Sequence, residues 1–279
     1  MTRETPPPEA WALAAGSFGR ELAKALMAYA TPILWSAGET SGRLDDEVRS
    51  GTTFFLDCGQ GPFGVTAGHV FEAHKARADV AGVPCNIGLG QPGSGRLFDL
   101  RERVIACSHS PDIATYRISP EEIARTGARV VTATKWPSQP PRVGDVVAFV
   151  GFPGSSRRIK APRQISFETF HGAAFVESVS PERICCPTPR EWITPIAGMR
   201  FPGPDENAAG LSGGPVFCFE RGDVLSWRLM GVISDGGGGT HDGDGAPFLD
   251  MIVGARADLI NADGTINELP NPRPRRRYE

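Results

Sequence analysis

The sequence predicts an all-β protein of two six-stranded antiparallel β-barrels, with an N-terminal helix and a short C-terminal helix. Three observations predict it. The 34 glycines and 25 prolines are scattered along 279 residues with no Gly-X-Y repeat, a punctuation that favours many short strands joined by turns over long helices. Runs rich in β-branched, aromatic and aliphatic residues recur between those breakers in two groups of six, the pattern of small barrels. A charged, proline-rich stretch separates the groups.

The elements follow in order. Residues 9 to 30 carry Phe18, Leu22 and Leu26 at i, i+4 and i+8, with Arg20, Glu21 and Lys24 elsewhere, as expected of an amphipathic helix docked on the main body. From Thr31 the texture turns to β, with Pro32–Trp35, Thr52–Asp57, Phe63–Thr66, Asn86–Leu89, Arg103–Cys107 and Ile113–Ile118 as the first set of strands. The interval from Ser119 to Val143 holds a Pro-Glu-Glu run, a strand-like Arg129–Lys135 and the prolines Pro137, Pro140 and Pro141, and reads as a linker. The second set is Asp145–Phe152, His171–Ser180, Arg190–Phe201, Gly214–Phe219, Leu225–Ser234 and Ala246–Val253, closed by a helix over Ala255–Asn261. The tail from Pro270 to Glu279 is locally basic and expected to be disordered. This divides the chain into an N-terminal extension (1–30), a first barrel with its linker (31–140), a second barrel with its closing helix (141–262) and a tail (263–279).

Charge narrows the function. With 29 Lys and Arg against 32 Asp and Glu, the net charge of −3 lacks the excess of positive charge that general nucleic-acid binding needs. The longest uncharged stretch, Val80 to Gly95, is too short and too rich in Gly and Pro for a membrane span. Thr2 to Pro8 makes a poor signal-peptide start, and the apolar run behind it is soon broken by Arg20, Glu21 and Lys24. Six cysteines without a Cys-x-x-Cys pair read as small apolar residues rather than a disulfide or zinc framework. A cytoplasmic, reducing location is the expectation.

Three patterns carry chemistry. Val65-Thr66-Ala67-Gly68-His69-Val70 ends a β run in small residues and a histidine, and Ser110-Pro111-Asp112-Ile113-Ala114 sets a carboxylate at the mouth of an apolar strand. Gly210-Leu211-Ser212-Gly213-Gly214-Pro215 is a glycine-flanked turn around a serine. A turn that exposes a nucleophilic hydroxyl needs positive φ angles and close substrate approach, both of which a Cβ obstructs. The N–H groups of Gly210 and Ser212 are placed to hold the oxyanion formed when the hydroxyl adds to a carbonyl. Serine needs a base, and the base an orienting acceptor. His69 and Asp112 are those types.

On these three motifs the sequence resembles the trypsin-like (chymotrypsin-fold) serine proteases, in their disulfide-poor bacterial form, over residues 30 to 262. The chain order His69, Asp112, Ser212 matches theirs. The resemblance implies a serine endopeptidase working through an acyl-enzyme, with catalytic His69, Asp112 and Ser212, an oxyanion hole from Gly210 and Ser212, a protein or peptide substrate, and no cofactor or metal. It implies that Gly231–Gly236, with Ser234 and Gly236, pairs with bound peptide. Counting back from the nucleophile, it puts Glu206 (or Asp205) at the base of the primary specificity pocket. Val70 stands where secreted relatives have a disulfide cysteine, so activity is expected to survive thiol reductants. Leu211 stands where they have an aspartate paired with a newly cut amino terminus, so packing or hydrogen bonding elsewhere must order the oxyanion turn. The alternatives are a silent protease-like binding or scaffolding module, and an esterase with the same triad. A zinc site from His69 and His74 with Cys58 or Cys85 matches no standard spacing, and Asp235, Asp242, Asp244 and Asp250 lack the regular calcium-loop pattern. His109 and His171 are read as structural.

Overall fold

The computed structural model describes residues 17–36, 48–82, 85–87, 97–161, 164–188, 209–220, 226–235 and 251–268. Two barrel-like sheets dominate it. The first contains β1 (Ala30–Ser36), β2 (Val48–Asp57), β3 (Pro62–Thr66), β4 (Cys85–Ile87), β5 (Leu97–Phe98), β6 (Val104–His109), β7 (Asp112–Arg117) and β8 (Val130–Thr132). Its antiparallel order is β5-β4-β1-β2-β3-β7-β6, and β8 joins β2 in parallel. The second contains β9 (Val146–Gly151), β12 (Phe170–Phe175), β13 (Ser178–Val179), β14 (Arg183–Pro187), β15 (Pro215–Glu220), β16 (Ser226–Asp235) and β17 (Met251–Arg256), ordered β12-β9-β15-β16-β17-β14-β13. A small hairpin of β10 (Arg158–Ala161) and β11 (Gln164–Ser166) stands apart from both.

The period of two explains how the sheets stack. On β2, Phe55 points into the first sheet's own interior beside Trp35 and Tyr116, while Phe54 and Leu56 enter a cluster shared with the second sheet. On β15, Val216 and Cys218 face the second sheet's interior and Phe217 enters the shared cluster. Strands buried on both faces read as unbroken apolar runs, as Thr-Thr-Phe-Phe-Leu and Pro-Val-Phe-Cys-Phe do. The N-terminal helix α1 (Ser17–Met27) adds Leu22 and Leu26 to this cluster, sealing the seam between the sheets.

The all-β, two-sheet class holds, with differences in detail. The sheets have eight and seven strands rather than six each. The expected linker is folded: α3 (Pro120–Thr126) starts at a capping box made by Ser119 and Glu122, and β8 then enters the first sheet. Before it, α2 (Gly68–Ala81) follows β3 directly. In place of the closing helix, β17 runs through Arg256 and a single 3-10 turn covers Ala257–Leu259, because Asn261 and Gly264 close the next turn. The strand expected at Arg190–Phe201 and the basic tail lie outside the described residues.

All six cysteines are free, and burial pushes the thiols of Cys58, Cys85, Cys107, Cys186 and Cys218 up to about 12, far from the thiolate form that reacts. A thiol reductant is therefore expected to leave the melting temperature unchanged; a drop would mean that a disulfide supports the fold.

His171 on β12 is 7% exposed, and its ring nitrogens have no hydrogen-bond partner among the described residues. Burial lowers it from 6.5 to about 4. Between those values the unfolded chain binds a proton that the folded one excludes, so stability is full above about pH 6.5 and falls as the pH drops toward 4. His171→Leu should flatten this part of the melting-temperature profile; an unchanged slope would assign the acid sensitivity to other groups.

Candidate active site

His69 is the second residue of α2. The residue before the helix, Ala67, offers no side-chain cap, and the missing acceptor comes from Asp112 at the start of β7. Its Oδ1 accepts from the His69 main-chain N–H at 2.8 Å, and its Oδ2 meets His69 Nδ1 at 2.7 Å. The carboxylate thus fixes the ring and the helix start with one pair of oxygens. Facing a carboxylate, Nδ1 is the protonated nitrogen. The helix N-terminus adds its partial positive charge beside Asp112. The Asp112 side chain is 14% exposed and that of His69 51%, so the acid is sheltered and the base reaches solvent. Gly68 permits the approach, since a Cβ there would meet Ser108 O at 2.5 Å and Asp112 Oδ1 at 2.9 Å.

Ser212 sits in a β-turn closed by the Gly214 N–H on Leu211 O at 2.9 Å. Gly213 has φ +90° at the third position, the sign that a type II turn requires there, and Gly210 has φ +102°. Five carbonyls of the segment are occupied, that of Leu211 by the turn itself. Ala209 O accepts from Gly154 N at 2.6 Å, Gly210 O from Thr52 Oγ1 at 2.6 Å and Ser212 O from Thr52 N at 2.9 Å. Gly213 N and Gly214 O are tied to Ile233 at 2.7 and 2.8 Å. No acceptor among the described residues takes the N–H of Gly210 or Ser212. A turn anchored through the carbonyls of Gly210, Ser212 and Gly214 offers those amides to whatever enters the cavity.

Leu211 is fully buried in the second sheet's interior, where its side chain lies against Gly151. Packing at Leu211 and the hydrogen bonds of Thr52 supply the order that the sequence left unassigned. Thr52 also gives its carbonyl to Thr66 Oγ1 at 2.7 Å and accepts from Phe152 N at 2.9 Å. The sequence reading missed this residue; its only signal is a Thr-Thr pair just before the apolar run Phe54-Phe55-Leu56.

His69, Gly210 and Ser212 line one cavity of about 610 Å³. Ser234 is elsewhere: it is buried in β16 and its hydroxyl donates to Val253 O at 3.2 Å. Glu206, Asp205 and Gly236 lie outside the described residues, as do Asp242, Asp244, Asp250 and the side chain of Asp235. His74 is buried edge-on to Trp35, and among the described residues no three His, Cys, Asp or Glu side chains converge as a metal site would require.

No protein-family model and no curated protein matches the sequence. Among solved structures the chain is similar to the serine protease domain of the Sesbania mosaic virus polyprotein, at 13% identity and a TM-score of 0.43 over 85% of this chain and 91% of that one. It is similar to a chain solved in work on the coupled folding and binding of the disordered Sesbania mosaic virus VPg protein (14%, TM-score 0.45, 84% and 87%). It also resembles the thermostable serine protease AL20 from an extremophilic microorganism (12%, TM-score 0.43, 82% and 91%). The chemistry rests on the residues themselves.

Thr52→Val keeps the shape and removes the hydroxyl shared by Gly210 O and Phe152 N. Leaving those buried groups unpaired should cost about 1–3 kcal/mol in urea unfolding, with Thr52→Ser close to wild type. A Thr52→Val protein as stable as wild type would show that the hydroxyl does not hold the turn.

Proposed function

We propose that the chain is a serine endopeptidase acting on protein or peptide substrates through an acyl-enzyme, as the resemblance of its motifs to the trypsin-like proteases implies. The observation that carries this reading is the Gly210–Gly214 turn, with the carbonyls of Gly210, Leu211, Ser212 and Gly214 bound and the amides of Gly210 and Ser212 without a partner among the described residues, sharing a cavity with an imidazole whose Nδ1 is held by a carboxylate.

With Nδ1 protonated against Asp112, Nε2 is the basic nitrogen. It takes the proton from Ser212 as Oγ bonds to the scissile carbonyl carbon, and the charge that develops on the carbonyl oxygen is received by the amides of Gly210 and Ser212. The same proton passes to the leaving amine as the C–N bond breaks. Water then repeats the sequence on the ester, with His69 as base, releasing the acid and restoring the hydroxyl. Asp112 stays ionised throughout and stabilises the imidazolium.

Labelling with a fluorophosphonate probe tests the reading. Wild type should label and Ser212→Ala should not. Peptide hydrolysis should fall by about 10³-fold or more in Ser212→Ala and in His69→Ala, and their double variant should be little worse than the worse single one. An unlabelled wild type, or full activity in Ser212→Ala, would overturn the assignment.

A further inference from the structure

The cavity extends well beyond the serine and histidine. One arm runs from His69 along α2, past Val70, Ala73 and Arg77 to Val80, and is lined also by Trp35 of β1 and Arg49 of β2. Trp35 and Arg49 are direct partners in the β1–β2 register. Besides Ser50 the arm is lined by apolar residues and by two arginines, with no carboxylate among the lining residues. Arg77 is half-buried, and its Nε is shielded from water with no hydrogen-bond partner among the described residues. Neither arginine is in an ion pair there, whereas Arg101 nearby is paired with Asp79 and Asp99. Val80 is 81% exposed, an apolar side chain left at the mouth of the arm.

The turn settles which half of a substrate enters this arm. It is gripped on one flank by Thr52 of β2 and on the other by Ile233 of β16. Arg49 lies on the β2 flank, three residues before Thr52. The group that must touch the leaving nitrogen is His69, and the arm begins there and follows the helix that His69 starts. The peptide beyond the scissile nitrogen therefore runs along α2 over β2, and the acyl half leaves on the β16 flank.

We infer that this arm is a leaving-group subsite that selects peptides carrying a carboxylate within the first three residues after the scissile bond, an inference that rests on the endopeptidase reading above. Arg49 and Arg77 read the carboxylate. A guanidinium with a buried, unclaimed N–H gains a charge-assisted hydrogen bond from such a ligand and loses little solvation in making it, while Trp35, Val70 and Val80 take the apolar part of the neighbouring residue.

The test uses internally quenched peptides with one common acyl half and with Glu, Gln or Lys at each of the first three positions after the cleaved bond. In wild type, kcat/KM for the best Glu peptide should exceed that for its Lys counterpart by about tenfold, in the range of partly exposed charge pairs. The ratio should shrink in 1 M salt. In Arg49→Glu/Arg77→Glu the ratio should reverse toward Lys. Each ratio is taken within one protein, so the amount of folded enzyme cancels, and the single Arg49→Glu variant, altered at an exposed position, gives a partial reversal by itself. Equal rates for the three peptides at every position in wild type, or a preference that both variants leave intact, would overturn the subsite. A small uncharged ester with no chain on its leaving group separates the two readings: wild type that hydrolyses the ester but shows no charge preference refutes the subsite alone, and wild type that neither hydrolyses it nor labels with the fluorophosphonate refutes the hydrolase reading and the subsite with it.

Discussion

Thr52 is the point on which the geometry of the site depends. It belongs to a strand of the first sheet, yet its amide and hydroxyl bind the serine turn of the second. Its hydroxyl also receives Phe152 N at the end of β9, so one side chain joins the turn, β9 and β2. The driving force that brings the sheets together is apolar and non-directional: Phe54, Leu56, Phe63, Phe217 and Val232, with Leu22 and Leu26 from α1, exclude water from the seam. Such a contact tolerates small slips. The buried polar contacts at Thr52 do not, because each unpaired group would carry its full desolvation cost. Apolar area supplies the stability, and Thr52 supplies the register in which Ser212 and His69 line one cavity.

Asp112 shows a similar economy. One carboxylate stands in for the missing cap of α2 and orients the imidazole that the helix carries. The arrangement answers an electrostatic problem, since a helix N-terminus disfavours a positive imidazolium at its second residue. Placing the anion on both the amide and the ring offsets that field at the imidazole.

The glycine-serine turn was legible in the sequence because its constraint is local. Gly210 and Gly213 are needed for positive φ, and a Cβ on either would run into backbone of the same site. The strands were legible where they are buried on both faces, as on β2 and β15. The helix carrying His69 was not, because Ala67 offers no cap and the residue that replaces it is distant in the chain. Thr52 was hidden for the same reason, as its partners Phe152 and Gly210 are 100 and 158 residues away. By contrast, α3 announces itself through Ser119, Pro120 and Glu122; the prolines that follow made the whole interval resemble a linker.

The grip of Ile233 on Gly213 and Gly214 has a consequence for the order of events during synthesis. His69, Asp112 and Ser212 all leave the ribosome before the strand that completes the turn does. A chain that has just exposed its serine holds all three residues but lacks the partner that fixes Gly213, and β17, which pairs with that partner strand, comes later still. The turn therefore acquires its fixed geometry late, when most of the second sheet has been made, and on the proposed function any activity of the serine would wait on the same step.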